Sequence, residues 1–163
     1  MKVIFLDIDG VLNTTGSRKP SKDAKVIEPA LLGRFCSLVA DTGAQTVLSS
    51  TWRHEPDGLV SARGLGIPFS DVLPDLRPRP RNEEIIAWLK AHSDVDRFVV
   101  IDDDDDCLDA FPLFQPASST GLTDKIAKGA ADYLNKKSDK DMRRNKVVRL
   151  VQNAIAYLKG HNG

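Results

Sequence analysis

The stretch VIFLDIDGVL, residues 3–12, decides the fold of this chain. Its first four residues form an apolar run that is too short for a helix and predicts a buried strand. Asp7, Asp9 and Gly10 follow at once. Carboxylates this close together raise each other's pKa unless a cation lies between them. The pair therefore indicates a site for a hard divalent metal, or else an acidic turn at the Asp-Gly dipeptide.

A second apolar run of the same kind lies far along the chain. Residues 98–101 read FVVI, and five consecutive aspartates follow them, residues 102–106. In an open parallel sheet, ligands bind in the crevice beyond the carboxyl ends of the strands. Asp102 and Asp103, directly after the strand, must lie near that edge. We therefore expect the two acidic groups to meet in one crevice, which favours the metal site over the turn.

Length, charge and cysteine content set broad limits. The chain has 163 residues, a formal net charge of zero and two cysteines. This length predicts one compact domain over residues 1–163, and the zero charge gives no global attraction to nucleic acid or membrane. Cys36 and Cys107 lack disulfide or zinc spacing, which indicates reduced thiols. Without a signal-like or membrane-spanning stretch, the pattern predicts a cytoplasmic protein with no membrane partner.

Strands and helices alternate along the chain, a pattern typical of a doubly wound parallel sheet of the α/β class. Pro29 and Gly43 suit the start and end of a helix, and Thr123 is placed to cap another that reaches Leu134. Residues 13–27 lack an apolar period and predict a loop or flap. The remaining expectations are strands at 46–48 and 113–115, a strand or extended segment at 67–72, a short helix within 52–63, a helix at 82–91 and an amphipathic C-terminal helix at 142–158.

Three segments resemble the motifs of the haloacid dehalogenase (HAD) superfamily of phosphatases. They are DIDGVL at 7–12, TVLSST at 46–51 and VVIDD at 99–103. The resemblance implies a Rossmann-like fold and a magnesium-dependent phosphohydrolase that forms an aspartyl phosphate. The TWR sequence at 51–53 and the GLT sequence at 121–123 are similar to small members without a cap domain that are linked to RNA repair.

The resemblance also implies roles for the acids. Asp7 would be the nucleophile, and Asp9 would protonate the leaving oxygen and then activate water. A straight strand points these two side chains apart, so the chain must curl at Ile8. Magnesium would be held by Asp7, the Asp9 backbone carbonyl and Asp103, with Asp102 or Asp106 holding a bound water. Gly10 eases the curl and belongs with the substrate-binding residues.

A hydroxyl is expected to bind the phosphoryl group from the end of the second motif. Ser49 is the first candidate, and Ser50 or Thr51 replaces it if the strand register differs by a residue or two. A hydroxyl that only caps the following turn is an equal alternative for Ser50 and Thr51. Arg53 can clamp phosphate with its forked guanidinium, or it can pack on the surface against the preceding indole.

The superfamily's lysine is missing from its usual place, at or before the start of the helix that leads to the acidic strand. That place reads RPRPRNEE, residues 77–84. Arg81, beside the expected helix start, is the candidate for the positive charge, with Arg79 as the alternative. The other reading of the Arg-Pro run is an exposed extended linker, because proline at every second position prevents a helix.

The chain leaves no room for a cap domain, which predicts an open site. Such a site with arginines at its edge favours a phosphate on a nucleotide, a nucleic-acid end or another large substrate. The missing lysine supports a competing reading, a catalytically weak or inactive module that binds phosphate or nucleic acid. The sequence does not decide the oligomeric state.

Overall fold

The computed structural model describes residues 1–18, 24–136, 151, 152 and 155, and it contains one five-stranded sheet in which every pairing is parallel. The strand order is β3-β2-β1-β4-β5. The strands are β1 (Lys2–Leu6), β2 (Gln45–Leu48), β3 (Asp71–Val72), β4 (Arg97–Ile101) and β5 (Leu113–Phe114).

The order of the strands places a topological switch beside β1. The chain proceeds outward from β1 through β2 to β3, and then returns to β4 on the other side of β1. Leu6 pairs with Leu48 on one side and with Ile101 on the other. Because three strands end at the same level, the residues that follow them lie together at the crevice where such sheets bind ligands.

Within residues 24–136, four α-helices flank the sheet: α1 (Pro29–Thr42), α2 (Gly58–Gly64), α3 (Arg81–Ala91) and α4 (Asp124–Asn135). Helix α1 begins at Pro29 and ends at Thr42, where it is capped by Gly43, whose φ of 62° is left-handed. Helix α4 is capped by Thr123, whose hydroxyl accepts a hydrogen bond from the amide of Ile126 at 3.3 Å. A 3-10 turn (Thr51–His54) follows β2 after Ser49 and Ser50.

Alternate residues of β1 supply the two halves of the core. Ile4 and Leu6 face one side, where they join buried residues of α1, α2 and α4. Val3 and Phe5 face the other side and join buried residues of α3. The strand is buried on both faces, as the uninterrupted apolar run predicted.

The predicted fold class is confirmed, and the elements lie close to the predicted positions. The strand expected within 67–72 is reduced to two residues, and residues 13–18 and 24–27 form a loop. Between Ser49 and Arg81 the chain forms only the 3-10 turn, α2 and β3, so no cap is inserted there. Most of the helix predicted at 142–158 lies outside the described residues. No described helix is long and apolar enough to cross a membrane.

Candidate active site

The chain curls immediately after β1. The amide of Asp7 still extends the ladder to β4, because it donates to the carbonyl of Ile101 at 2.9 Å. The carbonyl of the next residue, Ile8, accepts from the amide of Leu12 at 2.8 Å, which closes a helical turn. The bend expected at Ile8 is therefore present, and it brings Asp7 and Asp9 to the same cavity.

Gly10 lies in contact with the second acidic group. Its φ is +74°, and a Cβ added there would lie 2.1 Å from the nearer carboxylate oxygen of Asp103. A side chain at position 10 would thus be strained in its backbone and would collide with Asp103. Glycine at this position is what lets the carboxylate of Asp103 approach the first motif.

Three carboxylates converge beyond the ends of β1 and β4. Ligand atoms of Asp7, Asp102 and Asp103 all lie within 4.8 Å of one another. Asp102 is buried and already engaged, since its Oδ1 accepts from the amide of Asp104 at 3.1 Å. Asp103 is partly exposed. Asp106 instead accepts from the backbone amide of Arg81 at 3.1 Å, at the start of α3.

Arg81 provides the positive charge at this cluster. Its Nη1 lies 3.2 Å from Oδ1 of Asp7 and also forms an ion pair with Asp102. The side chain is 13% exposed, so both interactions are largely shielded from water. The first residue of α3 thereby holds a guanidinium between two of the acids, at the position where the sequence lacks a lysine.

The charges in the cluster do not balance. Burial, and then the neighbouring Asp102 carboxylate, raise the pKa of Asp7 to about 7, although Arg81 acts in the opposite direction. Burial also raises the pKa of Asp102 to about 6 and that of Asp103 above its usual range. A single guanidinium therefore does not compensate the three carboxylates. Oxygen donors with excess negative charge are the ligand set that a hard divalent cation prefers, so the residues present fit magnesium.

Asp9 accepts hydrogen bonds from two side chains that were not among the predicted site residues. Its Oδ2 accepts from the indole Nε1 of Trp52 at 2.8 Å, and its Oδ1 accepts from Nδ2 of Asn13 at 2.8 Å. Asn13 lies one helical turn after Asp9, which is the only sequence signal for its role. Trp52 follows β2, so its contact with Asp9 depends on the tertiary fold.

The three hydroxyls after β2 lie in different surroundings. The amide of Ser49 donates to the carbonyl of Leu6 at 2.8 Å, while its buried Oγ has no partner among the described residues. Ser50 is buried and caps the 3-10 turn by accepting from the amide of Trp52 at 3.4 Å. Thr51 is exposed and lines the cavity that contains Asp7.

The side chain of Arg53 is almost wholly buried. It forms an ion pair with Glu84, and the two side chains are only 5% and 3% exposed. Its Nη1 also donates to the carbonyls of Ser49 and Ser50, and Glu84 accepts in turn from the amide of Leu76 at 3.1 Å. This network joins the end of β2 to α3, and it leaves Arg53 far less exposed than a surface residue.

We expect Glu84→Gln to destabilise the protein by about 3 kcal/mol or more, because Arg53 would keep a buried charge without its counterion. Glu83→Gln is the matched control. Glu83 pairs with the exposed Arg79 at 3.1 Å, and surface pairs of this kind contribute about 0.5 kcal/mol or less. Urea unfolding followed by circular dichroism measures both. Equal losses in the two variants would contradict the structural importance of the buried pair.

Two adjoining cavities open at this end of the sheet. The larger, about 520 Å³, contains the acidic cluster, and the smaller, about 390 Å³, is lined by four arginines at positions 53, 77, 79 and 81. Thr51 and Arg81 line both. The larger cavity brings together seven of the candidate residues: Asp7, Asp9, Gly10, Thr51, Arg81, Asp102 and Asp103. Five others lie outside its lining: Ser49 and Ser50 in the interior, and Arg53, Arg79 and Asp106 at the smaller cavity.

The motif residues all fall within a single family match. A family model described as the HAD domain in Swiss Army Knife RNA repair proteins matches residues 3–127. No curated protein matches the chain. The family match spans β1 to the first turn of α4 and covers both acidic groups. It confirms the superfamily and the RNA-repair resemblance that the motifs indicated.

Proposed function

Because the chain belongs to the family of HAD domains in Swiss Army Knife RNA repair proteins, we propose that it is a magnesium-dependent phosphomonoesterase that acts through an aspartyl phosphate on Asp7. The observation that carries the proposal is the position of Asp7. Its carboxylate lies at the end of β1 within 4.8 Å of two further acids and 3.2 Å from Arg81. Phosphoryl transfer requires little beyond a positioned nucleophile and compensation of charge.

The first step transfers the phosphoryl group to Asp7. The Asp7 carboxylate attacks phosphorus while the bond to the leaving oxygen breaks, and Asp9 gives its proton to that oxygen. In the second step Asp9 takes a proton from water as the water attacks phosphorus, and the bond to Asp7 breaks to release phosphate. Trp52 and Asn13 fix the Asp9 carboxylate for both transfers.

Magnesium would be held by Asp7, Asp103 and the Asp9 backbone carbonyl, and when bound it would compensate the charge on the phosphoryl oxygens. Asp102 would hold a water bound to the metal, because Arg81 and the amide of Asp104 already engage its carboxylate. Arg81 lies where it favours the carboxylate form of Asp7 and can contact the phosphoryl group. Thr51 has an exposed hydroxyl that lines the cavity and can bind the phosphoryl group. Ser49 is the other candidate for this contact.

The substrate is a phosphate carried by a nucleotide, a nucleic-acid end or another large molecule. The described chain has no cap over the cavity, and arginines line the adjoining one. The family's printed description, RNA repair, favours nucleic acid within this set. The alternative of an idle binding module rests on the missing lysine, and the position of Arg81 beside Asp7 weakens it.

Hydrolysis of p-nitrophenyl phosphate with magnesium is the direct test. Removal of the metal with EDTA is expected to lower the rate at least about 100-fold, because the three carboxylates then repel the phosphate. Readdition of magnesium should restore the rate. A parent protein with no turnover above that of buffer, on this substrate and on phosphorylated nucleotides, sugars, peptides and oligonucleotide ends, would favour the idle module.

Trp52→Phe is expected to lower kcat about tenfold, because the variant keeps most of the ring packing and removes the hydrogen bond to the acid-base residue. Trp88→Phe is the matched control. Trp88 donates its Nε1 to Asp71 at 2.7 Å, and it lines neither cavity. Steady-state kinetics on p-nitrophenyl phosphate separates kcat from KM. A loss confined to thermal stability, or one shared equally by both variants, would remove the positioning role from Trp52.

A further inference from the structure

The smaller cavity adjoins the larger one. It shares the lining residues Thr51 and Arg81 with the cavity that contains the acidic cluster. We propose that it binds the phosphodiester adjacent to the terminal phosphate, so that the substrate is the phosphorylated end of a nucleic-acid strand. This inference rests on the proposed function, because it places the terminal phosphate at Asp7.

The acids in the wall of this cavity are already engaged. Glu84 pairs with Arg53, Glu55 pairs with Lys25, and Asp106 accepts from the backbone amide at the start of α3. The wall has four guanidinium groups and three carboxylates. Among the lining residues the guanidinium groups therefore outnumber the carboxylates by one.

Arg77 and Arg79 provide guanidinium groups that an anion can recruit. Arg77 uses Nε and Nη2 to bind Asp75, and Arg79 uses Nη1 to bind Glu83. Neither acid lines the cavity. The arginine side chains are 60% and 65% exposed, and ion pairs exposed to this degree contribute little. Both arginines therefore keep donors for a phosphate and can exchange their partners at small cost.

A buried donor independently indicates a ligand here. The side chain of Arg53 is 5% exposed, and its Nε has no hydrogen-bond partner among the described residues. A buried donor left unpaired costs about 1–3 kcal/mol, so such groups usually face a ligand or water. Arg53 lines this cavity, so the unpaired donor belongs to its wall, and a small movement of the side chain would let a phosphate oxygen or a water accept from it.

A nucleic-acid strand fits two adjoining anion sites better than a phosphopeptide does. Each nucleotide step in a strand brings a further phosphate, so an anion always follows the terminal one. A peptide carries no such obligatory second anion. Contacts to phosphates give affinity without sequence selectivity, and we expect the site to tolerate any base sequence.

The test neutralises one linkage. Two short oligonucleotides with the same terminal phosphate are compared, one with an ordinary phosphodiester next to it and one with an uncharged methylphosphonate there, for both 3′ and 5′ ends. On at least one end, the parent is expected to prefer the charged linkage about tenfold in kcat/KM. In a variant carrying Arg77→Gln and Arg79→Gln, this ratio should fall close to one.

Because the ratio compares kcat/KM for two substrates of the same protein, a general loss of activity does not change it. Arg63→Gln is the control, because Arg63 stacks on Phe69 and lines neither cavity, and it should keep the parental ratio. The inference is overturned if the parent shows no preference at either end, if the double variant keeps the full preference, or if phosphopeptides exceed the oligonucleotides in kcat/KM. Failure of the proposed function is a different result, the absence of hydrolysis of any phosphomonoester by the parent.

Discussion

Asp7→Asn is expected to lower the turnover of p-nitrophenyl phosphate about 10⁴-fold or more, since an amide cannot accept the phosphoryl group as a carboxylate does. The substitution is nearly isosteric and keeps an oxygen that can accept from Arg81. A loss of activity therefore reports on chemistry and not on packing. Equal turnover by the parent and Asp7→Asn would contradict the enzyme assignment.

The same variant is expected to be more stable than the parent when no metal is present. The pKa of Asp7 is raised in the folded protein to about 7, so the folded state binds this proton more tightly than the unfolded state. The parent accordingly loses stability as the pH rises from about 4 to about 7. Asparagine removes that loss, and the gain should reach about 1–3 kcal/mol at pH 8 and vanish near pH 4.

Thermal unfolding in EDTA across this pH range measures the effect. Magnesium should stabilise the parent more than Asp7→Asn, because the parent retains the full ligand set. A variant that is less stable than the parent at pH 8 without metal would show that the Asp7 carboxylate is compensated in the fold. That result would contradict the charge imbalance on which the magnesium site rests.

Arg81→Ala is expected to lower kcat/KM on p-nitrophenyl phosphate by about 10²-fold or more, because it removes the guanidinium that lies against Asp7 and faces the phosphoryl site. Arg79→Ala, at the exposed position two residues earlier, should lose less than about tenfold. Arg81→Lys should recover part of the loss, since a lysine supplies the charge without the fork.

The comparison of these variants identifies the functional cation. Assays at saturating magnesium limit the instability that arises when Asp7 and Asp102 lose their shared partner. Unchanged rates in both alanine variants would remove Arg81 from the mechanism. A larger loss at Arg79 than at Arg81 would transfer the role to the alternative residue.

Much of the fold could be predicted because its signals are local. Runs such as residues 3–6 and 98–101 are apolar throughout, which is typical of strands buried on both faces. Proline, glycine and threonine at helix ends mark boundaries through their own backbone preferences. The short β3 was less predictable, because a two-residue strand is defined by its pairing with β2 and not by its composition.

The sequence by itself determined that two acidic groups follow two buried strands, and hence that carboxylates meet at one edge of a parallel sheet. Spacing along the chain could not determine which side chain contacts which. Trp52 bonds Asp9 across 43 residues, and Arg81 reaches Asp7 across 74. Only the tertiary structure decided that Arg53 is buried against Glu84 while Arg81 lies at the nucleophile. The physical reason is that an arginine's partner depends on burial and on the position of distant carboxylates, which no local pattern records.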